Sequence, residues 1–216
     1  VREFSDDKYL VFITKNGMIK KSELKLYEAT RFSRSLIALN LRDDDELINV
    51  FETDGKKDIF IATHLGYGLM FHEKDVAPVG QRALGVIGIQ LKENDYVVNG
   101  IPVIEEENPS LTLVTQRGAC KRMKLDQFEK TTRARRGVMM LRELTATPHR
   151  VIYFSTIEQE EKVVIETEQE KAEQILPFSL PNSDRNSNGS FVIDTDIDGA
   201  IEKVYKEAEY PTPFSI

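Results

Sequence analysis

The chain has 216 residues, 40% of them hydrophobic and 30% charged, with a formal net charge of −7. A chain of that length buries roughly 70% of its unfolded surface on folding, so it needs no disulfide or metal staple and is too apolar to stay disordered. Its one cysteine, Cys120, excludes a disulfide framework and a cysteine zinc site. No run reaches the roughly 18 to 20 apolar residues of a membrane helix, and the opening VREFSDDKYL has no secretion-signal pattern, so the expectation is a soluble, cytoplasmic chain with no membrane role.

The first predicted element is a hairpin over residues 9–21, YLVFITKNGMIKK: an apolar strand, a threonine, a tight turn and a second strand. The pattern returns at 58–71 (DIFIATHLGYGLMF), 111–125 (LTLVTQRGACKRMKL) and 162–175 (KVVIETEQEKAEQI). Its threonines, Thr14, Thr63, Thr115 and Thr167, fall about fifty residues apart. Gly17, Gly66 and Gly118 follow the first three at the place where a hairpin turn needs positive φ. The fourth copy has Glu170 there, which predicts a differently built turn.

After each hairpin comes an arginine, Arg31, Arg82, Arg133 or Arg185, and then a small residue leading an apolar run. Those runs are Ser35-Leu36-Ile37, Gly85-Val86-Ile87, Gly137-Val138-Met139 and Gly189-Ser190-Phe191. A last strand closes each unit, at 47–51, 96–98, 151–154 and 200–205. The stretch 158–174 has helix-forming residues, but its β-branched centre KVVIET occupies the repeat's strand slot and reads as strand. Four-stranded units at this period predict an all-β propeller-like fold with blades at 5–52, 56–104, 109–157 and 160–208. Residues 1–4 resemble the end of a preceding blade, so the expectation is an open ring or part of a larger array.

The acidic net charge hides basic segments. Between Arg117 and Arg136 stand Arg117, Lys121, Arg122, Lys124, Lys130, Arg133, Arg135 and Arg136, against only Asp126 and Glu129. Lys15, Lys20, Lys21, Lys25, Arg31 and Arg34 oppose Glu23 and Glu28 in the first repeat, whereas the chain beyond Thr156 is acidic. A lone lysine is ordinarily a solvated surface charge. Arginine recurring in the same loop of four repeats predicts one basic track along a curved rim, suited to phosphates rather than base edges.

Other motifs lead nowhere comparable. Residues 194–199, DTDIDG, copy half an EF-hand loop, but its twelfth position is Tyr205, so an acidic turn between strands is expected. Residues 80–88 are glycine-rich without the Lys-Ser/Thr pair of a P-loop. His64 and His72 face each other only if a hairpin brings them together, and all three histidines, His149 included, read as surface residues. Cys120 reads as a packed strand residue despite the neighbouring Lys121 and Arg122. No carboxylate pair marks acid–base catalysis, and no metal site is expected.

Residues 13–24 (ITKNGMIKKSEL), 79–91 (VGQRALGVIGIQL) and 115–144 (TQRGACKRMKLDQFEKTTRARRGVMMLREL) carry a resemblance to the C-terminal domain of the type IIA topoisomerase A subunits, gyrase and topoisomerase IV. They look most like the topoisomerase IV A subunits of Gram-positive bacteria. The resemblance implies a β-pinwheel whose blades exchange strands, five or six blades in the parent domain, and a basic rim for double-stranded DNA. It also implies that the nucleophilic tyrosine, magnesium and ATPase lie outside this chain, which by itself is then not an enzyme and holds no cofactor. The implied protein partners are the remainder of its own A subunit, together with the B subunit. The gyrase box QRRGGKG is replaced here by Gln81-Arg82-Ala83-Leu84-Gly85-Val86-Ile87-Gly88, which counts against gyrase-type wrapping.

The expected DNA-binding residues are Arg31, Arg34, Arg82, Arg133, Arg135, Arg136 and Arg185, supported by Lys20, Lys21, Lys121, Arg122 and Lys124. The role expected is to bind and bend duplex at the bacterial nucleoid, presenting the segment to be transported for decatenation or relaxation. The alternatives are a protein-interaction propeller with no DNA role and a gyrase-type DNA-wrapping domain, since fold alone does not choose among them.

Overall fold

The computed structural model describes residues 4–28 and 36–207. The first repeat gives β1 (Tyr9–Thr14), β2 (Met18–Glu23) and β3 (Leu47–Thr53). The second gives β4 (Asp58–Thr63), β5 (Tyr67–His72), the short β6 (Val86–Ile87) and β7 (Val97–Val103). In the third lie β8 (Ser110–Thr115), β9 (Ala119–Lys124), the two-residue β10 (Lys130–Thr131) and β11 (Val138–Met139), and β12 (Val151–Ile157). The fourth supplies β13 (Val163–Thr167), β14 (Ala172–Ile175), β15 (Ser190–Phe191), the one-turn helix α1 (Thr195–Asp198) and β16 (Ile201–Lys206).

Four small sheets follow one another in a ring, ordered β3-β1-β2-β6, β7-β4-β5-β11, β12-β8-β9-β15 and β16-β13-β14 from the inside outward. Each of the first three is capped by a strand from the next repeat: β6 on β2, β11 on β5 and β15 on β9. A blade is therefore three strands of one repeat and a fourth from its successor. The inner strands β3, β7, β12 and β16 pack side by side in that order. Asn49 donates to the Gly100 carbonyl at 2.9 Å and Asn99 to that of Phe154 at 2.8 Å, tying neighbouring inner strands where they splay.

The core lies between the blades, which explains why the first hairpin strands are apolar without alternation. Ile59 and Ile61 of β4 pack toward Val11, Ile13 and Ile19, while Phe60 and Ala62 pack toward Leu111, Leu113 and Phe154. Phe60 is fully buried, edge-on to Phe128 and stacked on Phe154 with centroids 4.8 and 5.1 Å away. A third cluster joins Val114 and Cys120 to Val163, Ile165 and Ile175.

The repeated threonine closes the hairpin. Oγ1 of Thr14, Thr63 and Thr115 accepts from the backbone N–H of Met18, Tyr67 and Ala119. In all four turns the N–H of the third residue on donates to the threonine carbonyl, at 3.0 to 3.1 Å. Glu170 takes φ +61°, the left-handed conformation that Gly17, Gly66 and Gly118 adopt in theirs. The backbone of the fourth turn thus matches the others, contrary to expectation, while its Thr167 hydroxyl differs, donating to the Asp198 carbonyl at 2.5 Å. Space explains the difference in residue: a Cβ at Gly118 would lie 2.2 Å from the Ile193 carbonyl oxygen, because the following repeat crosses the turn there.

Candidate nucleic-acid interface

The loops carrying the repeat arginines lead directly into the capping strands. Gly85, Gly137 and Gly189 mark the crossings, with φ of +84°, +83° and +78°. A Cβ on them would lie 2.4, 2.3 and 2.4 Å from the carbonyl oxygens of Ile19, Gly68 and Cys120. Only glycine lets the chain come down so close on the preceding blade. The arginine just before each crossing is thereby held at the outer edge, at the seam between two blades.

Arg133 and Arg185 use this position alike. Arg133 donates from Nη1 to the Ile87 carbonyl and from Nε to that of Asp75, both at 2.9 Å. Arg185 donates from Nη1 to the Met139 carbonyl at 2.6 Å. Each guanidinium reaches back to the capping strand of the preceding blade, half-buried and bonded to neutral oxygens, so its charge is uncompensated. Arg82, Arg135 and Arg136 are exposed or partly so. Arg135 has a 3.4 Å contact from Nε to Thr132 Oγ1, and its carbonyl accepts from the N–H of Gln90 at 2.9 Å. Among the described residues the one arginine–carboxylate pair is Arg150–Glu143. Arg31 and Arg34 lie outside the described residues.

Three of the expected lysine contacts are corrected. Lys20, Lys21 and Lys121 are only 1%, 4% and 0% exposed and do not lie on a rim. The second hairpin strand is interior, flanked by the first strand and by the cap from the next repeat, so its side chains face other blades. Lys121 Nζ donates to the carbonyls of Met140, Arg185 and Ser187 at 2.7, 2.6 and 2.8 Å. Burial, then the nearby Arg185 charge, pushes its pKa down to about 7, while Asp184 acts in the opposite sense. Lys20 Nζ donates to the Ala38 carbonyl at 2.9 Å, to Tyr27 Oη at 3.3 Å and to the Gln81 carbonyl. Burial lowers its pKa as well. Lys21 donates to the Glu73 carbonyl at 2.8 Å and sits 3.7 Å from its buried carboxylate.

Arg122 and Lys124 are half-buried. Arg122 lies over the Phe178 ring at 4.6 Å and donates to the Leu180 carbonyl at 3.2 Å, while Lys124 donates to that of Asn108 at 3.2 Å. The side chains brought together on the outer edge are therefore arginines. Beside them stand the exposed ends of two of the recurring apolar runs, Ile87 and Phe191, at 53% and 61% exposure on β6 and β15, which the sequence marks as strand and not as surface.

His149 is buried, not on the surface: Nδ1 lies 3.0 Å from Thr115 Oγ1 and Nε2 3.2 Å from Arg117 Nη1. Burial and then the Arg117 charge lower its pKa. His72 pairs with Asp58 at one end of its hairpin, whereas His64 lies at the turn end and stacks on Tyr96, so the two do not meet. Cys120 is fully buried and its thiol is pushed up to about 11 by desolvation. The 194–199 segment contains α1, capped by Asp194, with Lys171 Nζ 2.7 Å from Asp198. Among the described residues no group of three or more His, Cys, Asp or Glu is placed to hold a metal ion. No helix among them is long and apolar enough to cross a membrane.

A family model described as DNA gyrase C-terminal domain, beta-propeller, matches residues 8–54, 57–104 and 109–164. The A subunit of DNA topoisomerase 4 from Bacillus subtilis (strain 168) is 50% identical over 206 residues, 95% of this chain and 25% of its own length. The Staphylococcus epidermidis (strain ATCC 12228 / FDA PCI 1200) protein of the same name is 36% identical over 95% of this chain and 26% of its own. The chain spans about a quarter of the length of these curated relatives. Among solved structures, the C-terminal domain of DNA topoisomerase IV superposes with a TM-score of 0.89 at 45% identity, over 95% of this chain and 64% of that one. The DNA gyrase A C-terminal domain gives 0.78 at 22% identity over 95% of this chain and 68% of that one, a likeness of fold. The matched segments fall on the first three repeats and the start of the fourth, and the chain belongs to the DNA gyrase C-terminal domain, beta-propeller family.

Proposed function

We propose that this chain is a non-catalytic module of a topoisomerase IV A subunit that binds double-stranded DNA along its outer edge. The observation that carries the reading is the row of arginines at the blade seams, bonded to carbonyls or exposed, and unmatched by any carboxylate within ion-pair distance among the described residues. A guanidinium so held keeps its charge and offers its remaining N–H groups to phosphate as a fork. Contacts of that kind position a duplex without reading its sequence. The curved edge suits a bent duplex, and smooth bending of a short site costs about 1 to 6 kcal/mol, which a row of phosphate contacts offsets.

In this reading the domain holds the duplex segment to be transported, at the nucleoid, for decatenation or relaxation. The cleavage tyrosine, magnesium and ATP belong to the other domains of its polypeptide or to the B subunit partner. Gel-shift with duplexes of unrelated sequence at two salt concentrations tests it. Binding should be weak, indifferent to sequence and strongly salt-dependent, its logarithm falling by about 0.9 per phosphate contact for each tenfold rise in salt. A chain that gives no salt-sensitive shift is not this module, and the protein-interaction reading then takes its place.

A further inference from the structure

We propose that the buried lysines Lys121 and Lys20 are positioning residues, ammonium staples that pin the arginine-bearing loop of the next repeat onto the blade below. The proposal rests on the DNA reading above and adds the side chains that set the rim's geometry. Lys121 has three hydrogen-bond acceptors, one per ammonium proton, drawn from two repeats. Met140 belongs to its own repeat, Arg185 and Ser187 to the next. Arg185 is consequently fixed at both ends, its carbonyl by Lys121 and its guanidinium by the Met139 carbonyl. Gln127 completes the grip, accepting from the Arg185 N–H at 2.6 Å and donating to the Ser183 carbonyl at 3.0 Å.

Lys20 repeats the device between the first and second repeats. It occupies the equivalent position of β2 and donates to the carbonyl of Gln81, the residue before Arg82. The second repeat has Leu69 in that slot, 1% exposed and packed in the core. An aliphatic side chain therefore satisfies the blade. Burying an ammonium instead is costly unless every proton is bonded, so the lysines serve the loop and not the packing.

Their distribution agrees. Lysine stands where the incoming loop brings Arg82 or Arg185 alone, and leucine where it brings Arg133, Arg135 and Arg136 together. In that loop Arg133 makes its own two bonds back to the preceding segment. A loop with a single phosphate contact gains most from being ordered before DNA arrives, because a side chain left to be ordered on binding weakens the complex.

Leu69 supplies the variant for the test. Lys121→Leu, in the 216-residue chain, should keep the sheet signal and cooperative unfolding, yet lower the salt slope of duplex binding by about one contact, as Arg185→Ala does. The double variant should lose no more than either single one, since both remove the same contact. Lys20→Leu with Arg82→Ala gives the same cycle at the seam between the first and second repeats. Lys121→Leu binding with the parental slope while Arg185→Ala lowers it overturns the staple and leaves the DNA reading intact. Additive losses, an unchanged slope in Arg185→Ala, or a Lys121→Leu chain that does not fold also overturn it. A parental chain without salt-sensitive binding removes both readings.

Discussion

The third and fourth repeats share one backbone template and opposite electrostatics. The third presents Arg133, Arg135 and Arg136 with no carboxylate partner among the described residues, on a loop that crosses the seam. In the fourth, Lys162, Lys171, Lys203 and Lys206 are paired with Glu207, Asp198, Glu166 and Glu161. Cations already answered by acids within the protein contribute little to attracting a polyanion. On the DNA reading proposed above, pairing is what would separate an interface from a merely charged surface, and counting bases in a sequence does not reveal it.

The largest effect expected from this contrast is the loss of Arg133, Arg135 and Arg136 together. Their replacement by alanine should cut the salt slope of duplex binding by up to about three contacts. Slopes from gel-shift at several salt concentrations measure this, and an unchanged slope removes the third repeat from the interface. Gly118→Ala comes next. It forces a Cβ to within 2.2 Å of the Ile193 carbonyl oxygen at positive φ, so denaturant unfolding should show a loss of more than about 2 kcal/mol.

A smaller effect tests pairing directly. Glu161→Gln with Glu207→Gln releases Lys206 and Lys162, and should raise the salt slope by about one contact. If it does not, location and not pairing silences the fourth repeat. The smallest change is Glu170→Gly, which relieves a left-handed non-glycine residue and should stabilise by about 0.5 kcal/mol in the same unfolding assay.

The hairpins are legible because a turn imposes local chemistry: a threonine hydroxyl facing an N–H and a residue at positive φ leave marks at fixed offsets. The fourth turn misleads because glycine's presence in the other three also reflects a close neighbour from the following repeat, the Ile89 and Ile193 carbonyls at Gly17 and Gly118 and the Leu141 side chain at Gly66, a long-range cause. The capping strands β6, β11 and β15 stand out only as apolar runs, since two residues have no periodicity and their partners lie in another repeat. The arginine loop is visible through its recurrence. Lys20, Lys21 and Lys121 are misplaced by any reading that equates charge with exposure. The corrective signal is present, since Leu69 fills in the second repeat the slot that Lys20 and Lys121 fill in the first and third. His149 escapes in the same way, its burial depending on Thr115 and Arg117 across the blade.

Capping by the successor makes this a chain of links rather than a string of beads. Donor and receiver are offset by one period in each of the first three sheets, so excising a single period, wherever the cut begins, delivers the following donor to an equivalent receiver. A cut along a sheet border does the reverse and strips a lid from what remains. Gene rearrangements that slip by whole periods can thus lengthen or shorten the arc without opening raw interior edges, and the set of seam arginines changes in step.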